Sequence, residues 1–333
     1  VTFDPLPYAA PVFLAALALE SWCSGRYSRR SLVSALGCAM LDQLVAGWGL
    51  LLFLGAFASA HRVAGAHLPA DRIATWIVAV VGHDLAYYAY HRASHRVNVL
   101  WAAHVVHHQS EGYDLTVSLR QGAIATWITY LFYLPLALVV DVQVFVVVHA
   151  AYQVYQFFVH TRWARSFGVL EWLFATPTHH RVHHGSERAC IDRNYGGFFI
   201  LFDRLLGTYR RVDRVARYGV PGGYEIVSPT FANTYMLARM VAASGAARHS
   251  GGLLRLWFGP PEASTHLLSS AGHAPRVVEH TPALRTWLLV IAGSGAAMAV
   301  VLARSAMPLW FAISLGIVAV ALFEIASAPL DGR

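Results

Sequence analysis

The chain has 333 residues, of which 56% are hydrophobic and only 13% are charged, whereas soluble domains carry about 25% charged residues. That deficit argues against an ordinary water-soluble globule and points to lipid as the solvent. The net charge of +7 comes from arginine alone; the arginines form no run beside aromatics, so nucleic acid is not the expected partner and a positive-inside membrane bias is.

Segment 6–19 is apolar but short. No basic residue precedes it and Asp4 lies in its leader, so it is expected to be a first, partly inserted helix and not a cleaved signal peptide. A hydrocarbon core needs about 20 apolar residues in a helix. Segment 32–60 meets that length with Asp42 as its one charge, and segment 73–90 meets it although His83 and Asp84 interrupt its second half. Segments 122–140 and 142–160 form an apolar hairpin hinged near Asp141. Between 161 and 280 arginine, glycine and proline accumulate and long apolar runs stop. Segments 286–303 and 307–323 form a last hairpin, split by Arg304 and Pro308.

The expected fold is all-α, a polytopic membrane helical bundle with a cytoplasmic histidine-rich di-metal domain. Residues 1–160 would supply transmembrane helices and the first two histidine clusters, 161–280 a cytoplasmic domain with the third, and 281–333 a transmembrane hairpin. Threading the segments from the outside leaves only Arg62, Arg72 and Arg304 of the 25 arginines outside, which favours this orientation. The same threading puts the histidine clusters on the cytoplasmic face. The exceptions are the pair His61/His67, on the other face, and His149, within a hairpin. Cys23, Cys38 and Cys190 have no paired spacing and imply neither disulfides nor a thiolate metal motif.

Twelve of the 18 histidines lie between His83 and His184. They form HRASH (His91, His95), HVVHH (His104, His107, His108) and HRVHH (His180, His183, His184). Residues three and four apart share one helix face, so each cluster can aim two or three imidazoles at one spot. His83, Tyr87, His91 and His95 recur every four residues as one stripe. Thr176 and Pro177 read as the cap and first position of a helix under the third cluster. Imidazole suits Zn, Cu, Fe and Ni; the lack of HExxH and of nearby cysteines argues against zinc proteases and structural zinc. Eight clustered imidazoles suit a dinuclear, oxygen-activating iron centre. His160 and His179 lie near the same boundary. Asp84, Glu111, Asp114 and Asp192 are expected to orient imidazoles through their second nitrogen. His149 reads as a packed residue, while His61, His67, His249, His266, His273 and His280 read as solvated.

The order HxxxH, HxxHH, HxxHH on a multi-span chain resembles the fatty acid hydroxylase (sterol desaturase) superfamily, and within it the alkylglycerol monooxygenase-like group. The resemblance rests on 87–121, on YQFFVHT (155–161) and on TPTHHRVHHG with CIDRNYGGFFILFDRLLGTY (176–209); 225–280 matches least. It implies metal ligation by His91, His95, His104, His107, His108, His180, His183 and His184, with His83, His160 and His179 as further ligands or neighbours. It implies O2-dependent attack on a lipid C–H by two irons, and in the ether-cleaving members release of a fatty aldehyde. Arg96 stands where animal members carry an acidic residue, and Phe202 where many carry Trp. Arg120, Glu111, Asp114 and Asn194 are candidates to meet a polar head group, with helix capping and interface anchoring as their plainer roles. No nucleotide-binding glycine motif between strand and helix and no iron–sulfur cysteine set is present, so electrons must come from outside. Tetrahydrobiopterin serves the ether-cleaving group, and cytochrome b5 or ferredoxin-type donors serve the wider superfamily. Two other functions compete: a sterol or carotenoid desaturase or hydroxylase, and a non-enzymatic membrane metal-binding protein. A transporter would place its ligands near the bilayer midplane, not at one face.

Overall fold

Helices begin and end where the sequence supplies caps and breakers. The computed structural model describes residues 6–25, 27–65, 67–221, 225–249, 251–269, 293 and 309–328. Among these residues, the helices in chain order are α1 (Leu6–Ser24), α2 (Arg29–Ala64), α3 (Ile73–Arg96), α4 (Asn98–His108), α5 (Leu115–Leu119), α6 (Ala125–Tyr133), α7 (Val142–Phe158), α8 (Pro177–His183), α9 (Leu201–Leu205), α10 (Pro229–His249), α11 (Leu253–Phe258), α12 (Pro261–Ser269) and α13 (Leu309–Ser327). Among the described residues there is no strand, only an isolated bridge between Phe174 and Phe199. The all-α expectation therefore holds.

The expected spans are helical where they are described, but shorter or more broken than apolar runs suggest. Segment 122–140 is not one helix. It stops at Tyr133, and Pro135, which lacks an amide hydrogen, lies in the first turn of a tighter 3-10 segment over Leu134–Leu138. Asp141 then caps α7, its Oδ1 accepting from the Gln143 amide at 2.7 Å. The 17 residues of α7, at about 1.5 Å each, reach about 25 Å, short of a hydrocarbon core of about 30 Å. No single described helix is long and apolar enough to cross a membrane; Arg29–Ala46 and Gly49–Ala64, meeting at 41°, meet the test only as a bent pair. Segment 286–303 lies outside the described residues apart from residue 293.

The chain forms two compact units. The first comprises Val1–Gly25, Ala46–Arg92 and Thr126–Ala216, the second Arg26–Val45, Ala93–Ala125 and Arg217–Arg333. An aromatic core fills the first, with Phe53, Phe57, Tyr130, Tyr133 and Phe145 all buried. Phe53 stacks on Tyr130 at 4.6 Å. Two buried carboxylates organise its polar interior. Asp84, fully buried on α3, accepts from the Tyr152 hydroxyl at 2.8 Å and from the Phe198 and Phe199 amides at 2.7 and 2.9 Å. Asp203 accepts from the Tyr195 and Gly196 amides at 2.8 and 2.7 Å and from the Thr208 hydroxyl at 2.6 Å. A Cβ at Gly197 would collide with the Tyr152 hydroxyl, so the close approach there requires glycine.

In the second unit α4 packs on α10 through Ala102, Val105, Met236 and Met240. Asn98 closes the start of α4, its amide nitrogen donating to the Leu256 carbonyl and to Ser264 Oγ, both at 2.7 Å.

Asp84 makes a stability test of this scheme. Asparagine keeps the volume but has one accepting oxygen where the carboxylate uses two. With buried donors left unpaired, Asp84→Asn should cost about 1–3 kcal/mol, seen as a lower melting temperature of the purified protein. An unchanged melting temperature would show that the anchor is dispensable.

Candidate metal centre

Helical spacing delivers the histidines in groups. His91 and His95 sit one turn apart on α3, and His104, His107 and His108 on α4. His180 and His183 lie on α8, with His184 as its C-cap. Pro177 occupies the first turn of α8, and His179 Nδ1 accepts the Thr176 amide at 3.2 Å. His179 thus closes the start of its own helix.

Within the first unit, His160, His180 and His184 offer nitrogens that all lie within 4.8 Å of one another. His180 Nε2 is 3.0 Å from His160 Nε2 and 3.1 Å from His184 Nε2. The His91 and His183 rings meet at 4.3 Å between centroids. Within the second unit, His95, His104 and His108 likewise offer nitrogens within 4.8 Å of one another, with 3.2 Å between His104 Nε2 and His108 Nε2. All of these rings are buried.

A backbone carbonyl fixes the ring of four of the histidines. His91 Nδ1 donates to the Tyr195 carbonyl and His183 Nδ1 to the Arg193 carbonyl, each at 2.9 Å. His160 Nδ1 donates to the Gln156 carbonyl at 2.8 Å, and His107 Nδ1 to the Arg120 carbonyl at 3.2 Å. A carbonyl can only accept, so the proton sits on Nδ1 and the neutral ring keeps its lone pair on Nε2. This is the tautomer control that metal-binding histidines use. Burial pushes the His107 imidazolium down to about 4, so at neutral pH the ring is in its ligating form. Burial also brings His179 to about 4.

The carbonyls at 193 and 195 are aimed by an unusual turn. Asp192 and Asn194 have φ of 58° and 56°, a left-handed conformation that Asp and Asn tolerate better than most residues. Asn194 holds the turn, donating from Nδ2 to the His179 and Arg210 carbonyls at 3.1 and 2.8 Å and accepting the Arg210 amide at 2.8 Å.

The other candidates lie elsewhere. His83 Nε2 is 3.0 Å from His149 Nδ1 and its ring stacks on Tyr133. Asp84 collects the donors named above. Asp114 caps α5, its Oδ1 accepting from the amide and hydroxyl of Thr116. Glu111 is exposed. Arg120 is buried in the second unit, donating to the Val106 carbonyl, Gln109 Oε1 and the Ile226 carbonyl, each at 2.7 Å, and to Ser34 Oγ. Its pairing with Glu225 at 3.8 Å completes the set. The side chain of Arg120 locks the end of α4 while its carbonyl orients His107. Sequence reasoning did not identify this role, nor those of the 193 and 195 carbonyls, because a backbone acceptor leaves no residue signature. Neighbouring Asp and Asn in CIDRNY were the available hint of a left-handed turn.

The donor set fits iron: nitrogen only, buried, with no carboxylate or thiolate among the grouped residues. Residues 76–208 match the fatty acid hydroxylase family. The match covers under half of the chain. It holds every grouped histidine, from His91 to His184. Over 197 residues the chain is 41% identical to an alkylglycerol monooxygenase of Danio rerio, covering 58% of this chain and 44% of that protein. It is 42% identical over 154 residues to the alkylglycerol monooxygenase of Homo sapiens, covering 46% and 35%. A more distant match is an ornithine lipid hydroxylase of Rhizobium tropici, 29% identical over 146 residues, covering 41% and 42%. The matched part is under half the length of each of these relatives. No solved structure matches the chain.

The grouping of His160 with His180 and His184 carries a test. His160→Ala should lower the iron content of anaerobically purified protein as much as His184→Ala does, while exposed His249→Ala should leave it unchanged. Metal analysis of the three variants checks this; wild-type iron in His160→Ala would remove His160 from the centre.

Proposed function

We propose that the chain is a membrane-bound, iron-dependent lipid monooxygenase of the alkylglycerol-cleaving type. The observation that carries this reading is the set of buried imidazoles whose Nδ1 atoms are held by carbonyls, in a domain whose relatives include alkylglycerol monooxygenases. Two irons per chain would draw on His91, His95, His104, His107, His108, His180, His183 and His184, with His160 as a ninth candidate. Bound iron would supply activation of O2 and oxidation of an unactivated C–H.

The chain's own residues do the positioning. The Tyr195, Arg193, Gln156 and Arg120 carbonyls keep protons on Nδ1 and leave Nε2 to the metal. Burial excludes water and keeps the His107 ring neutral. Arg120, held by Glu225 and three acceptors besides Ser34, fixes the α4 end that bears His107. Glu111, exposed near Asp114, remains a candidate for a polar head group.

The substrate would be a 1-O-alkylglycerol, hydroxylated on the carbon next to the ether oxygen. One oxygen atom enters that C–H and the other leaves as water, using two electrons from the donor. The hemiacetal then collapses to a fatty aldehyde and glycerol. A reduced pterin is the proposed donor, with a redox protein as the alternative. The composition supports a multi-pass membrane location, and the arginine asymmetry supports a cytoplasmic 161–280 domain and a cytoplasmic active face. The Rhizobium tropici relative favours a second reading, hydroxylation of another polar lipid; a sterol or carotenoid substrate is the third.

Iron-loaded membranes containing the chain should release aldehyde from a 1-O-alkylglycerol when given O2 and a reduced pterin, and His107→Ala should release none. Sterol turnover with a protein donor, and no aldehyde with pterin, would move the assignment to a sterol enzyme. A reporter fused after Pro221 should report from the cytoplasm; an external signal would reverse the orientation.

A further inference from the structure

Segment 161–280 reads as polar, yet one part of the first unit is strongly apolar at its surface. Between α7 and α8, the turn Gly168–Trp172 leaves Val169 86% and Trp172 63% exposed, and at the end of α9 Leu205 is 70% exposed. Phe167, Leu170 and Leu206 are exposed beside them, with Trp163 at the start of the segment. These side chains sit on a tied frame. The Ile200 amide donates to the Leu173 carbonyl and the Ala175 amide to the Phe198 carbonyl, both at 2.9 Å. Arg204 Nε donates to the Trp172 carbonyl at 3.0 Å, and its guanidinium stacks 3.9 Å over Tyr209. Apolar side chains fixed outward in this way mark a surface that something covers.

A cleft of about 240 Å³ shares this segment. Four arginines line it, Arg165, Arg181, Arg210 and Arg211, against two carboxylates, Glu171 and Asp213. Glu171 is engaged by its own loop and by α8, accepting from Ser166 Oγ at 3.0 Å, the Phe167 amide at 3.1 Å and Thr178 Oγ1 at 2.7 Å. Asp213 lies 3.5 Å from Arg211. The balance is cationic, and guanidinium groups match phosphate oxygens in geometry as well as charge.

We propose that this surface docks an anionic phospholipid, with its phosphate in the arginine cleft and the Val169–Trp172 and Leu205–Leu206 tips in the bilayer interface. The combination decides the occupant. A free phosphate accounts for the arginines but not for the aliphatic tips. Tryptophan beside aliphatic residues and arginine is the composition that settles at the headgroup boundary. The cleft also takes Thr178, Arg181 and Val182 from α8, so a seated headgroup braces the helix that presents His180 and His183. The proposal rests on the reading of the chain as membrane-bound.

The test uses the full-length protein in nanodiscs of phosphatidylcholine, with and without phosphatidylglycerol brominated on its acyl chains. The expected result is a melting temperature several degrees higher with phosphatidylglycerol, and quenching of tryptophan fluorescence that falls in Trp172→Phe. The double variant Arg165→Gln, Arg211→Gln should lose at least half of the melting shift. Inorganic phosphate added to the protein in detergent should give no such shift. An equal shift with inorganic phosphate, an unaltered response in the double variant, or quenching unaffected by Trp172→Phe overturns the site. Recovery of the chain in the soluble fraction after alkaline extraction removes the membrane reading and this site together. Retention in the bilayer without a phosphatidylglycerol response removes this site alone.

Discussion

The hydrogen bond from an imidazole Nδ1 to a backbone carbonyl is the interaction on which the centre depends. It fixes the tautomer, the ring plane and the direction of the lone pair in one contact. In the first unit its consequence is that the His160 lone pair faces the His180 ring, Nε2 to Nε2 at 3.0 Å. The rest of the first unit then has a clear task, which is to hold the carbonyls still.

Buried charge performs that task. Asp203 gathers the amides that flank the Tyr195 carbonyl, and Asp84 gathers those of Phe198 and Phe199 just beyond. In the second unit Arg120 serves α4 with both its side chain and its carbonyl. Removing one partner of a buried charge network leaves the other uncompensated, which costs far more than the network contributes in net terms. Such residues therefore constrain the scaffold strongly while touching no substrate.

Much of this was legible in the sequence. The helices, the spacing of HRASH, HVVHH and HRVHH, and the Thr176–Pro177 start of α8 all follow from local rules. The length of each helix did not. Pro135 breaks segment 122–140 although every side chain around it is apolar, because hydropathy counts side chains and not backbone donors. Arg120 read as a head-group candidate because an arginine is ordinarily solvated; its burial depends on acceptors from positions as distant as Ser34 and Ile226. Asp84 and Asp203 act on backbone amides brought close by the fold, which no sequence spacing announces. His160 was visible only as a neighbour of the motifs, since its partner His180 is 20 residues away.

The left-handed turn at Asp192 and Asn194 inverts the usual order of mutational tolerance. Glycine ordinarily weakens a fold, and β-branched residues suit an extended loop. Here a Cβ meets its worst backbone conformation, so valine, isoleucine and threonine are the least acceptable replacements and glycine the mildest at Asp192. At Asn194 glycine keeps the backbone but loses the contacts to His179 and Arg210, which leaves asparagine almost without substitutes. A saturation library across these two neighbours would thus separate two kinds of intolerance, one set by backbone shape and the other by side-chain bonding.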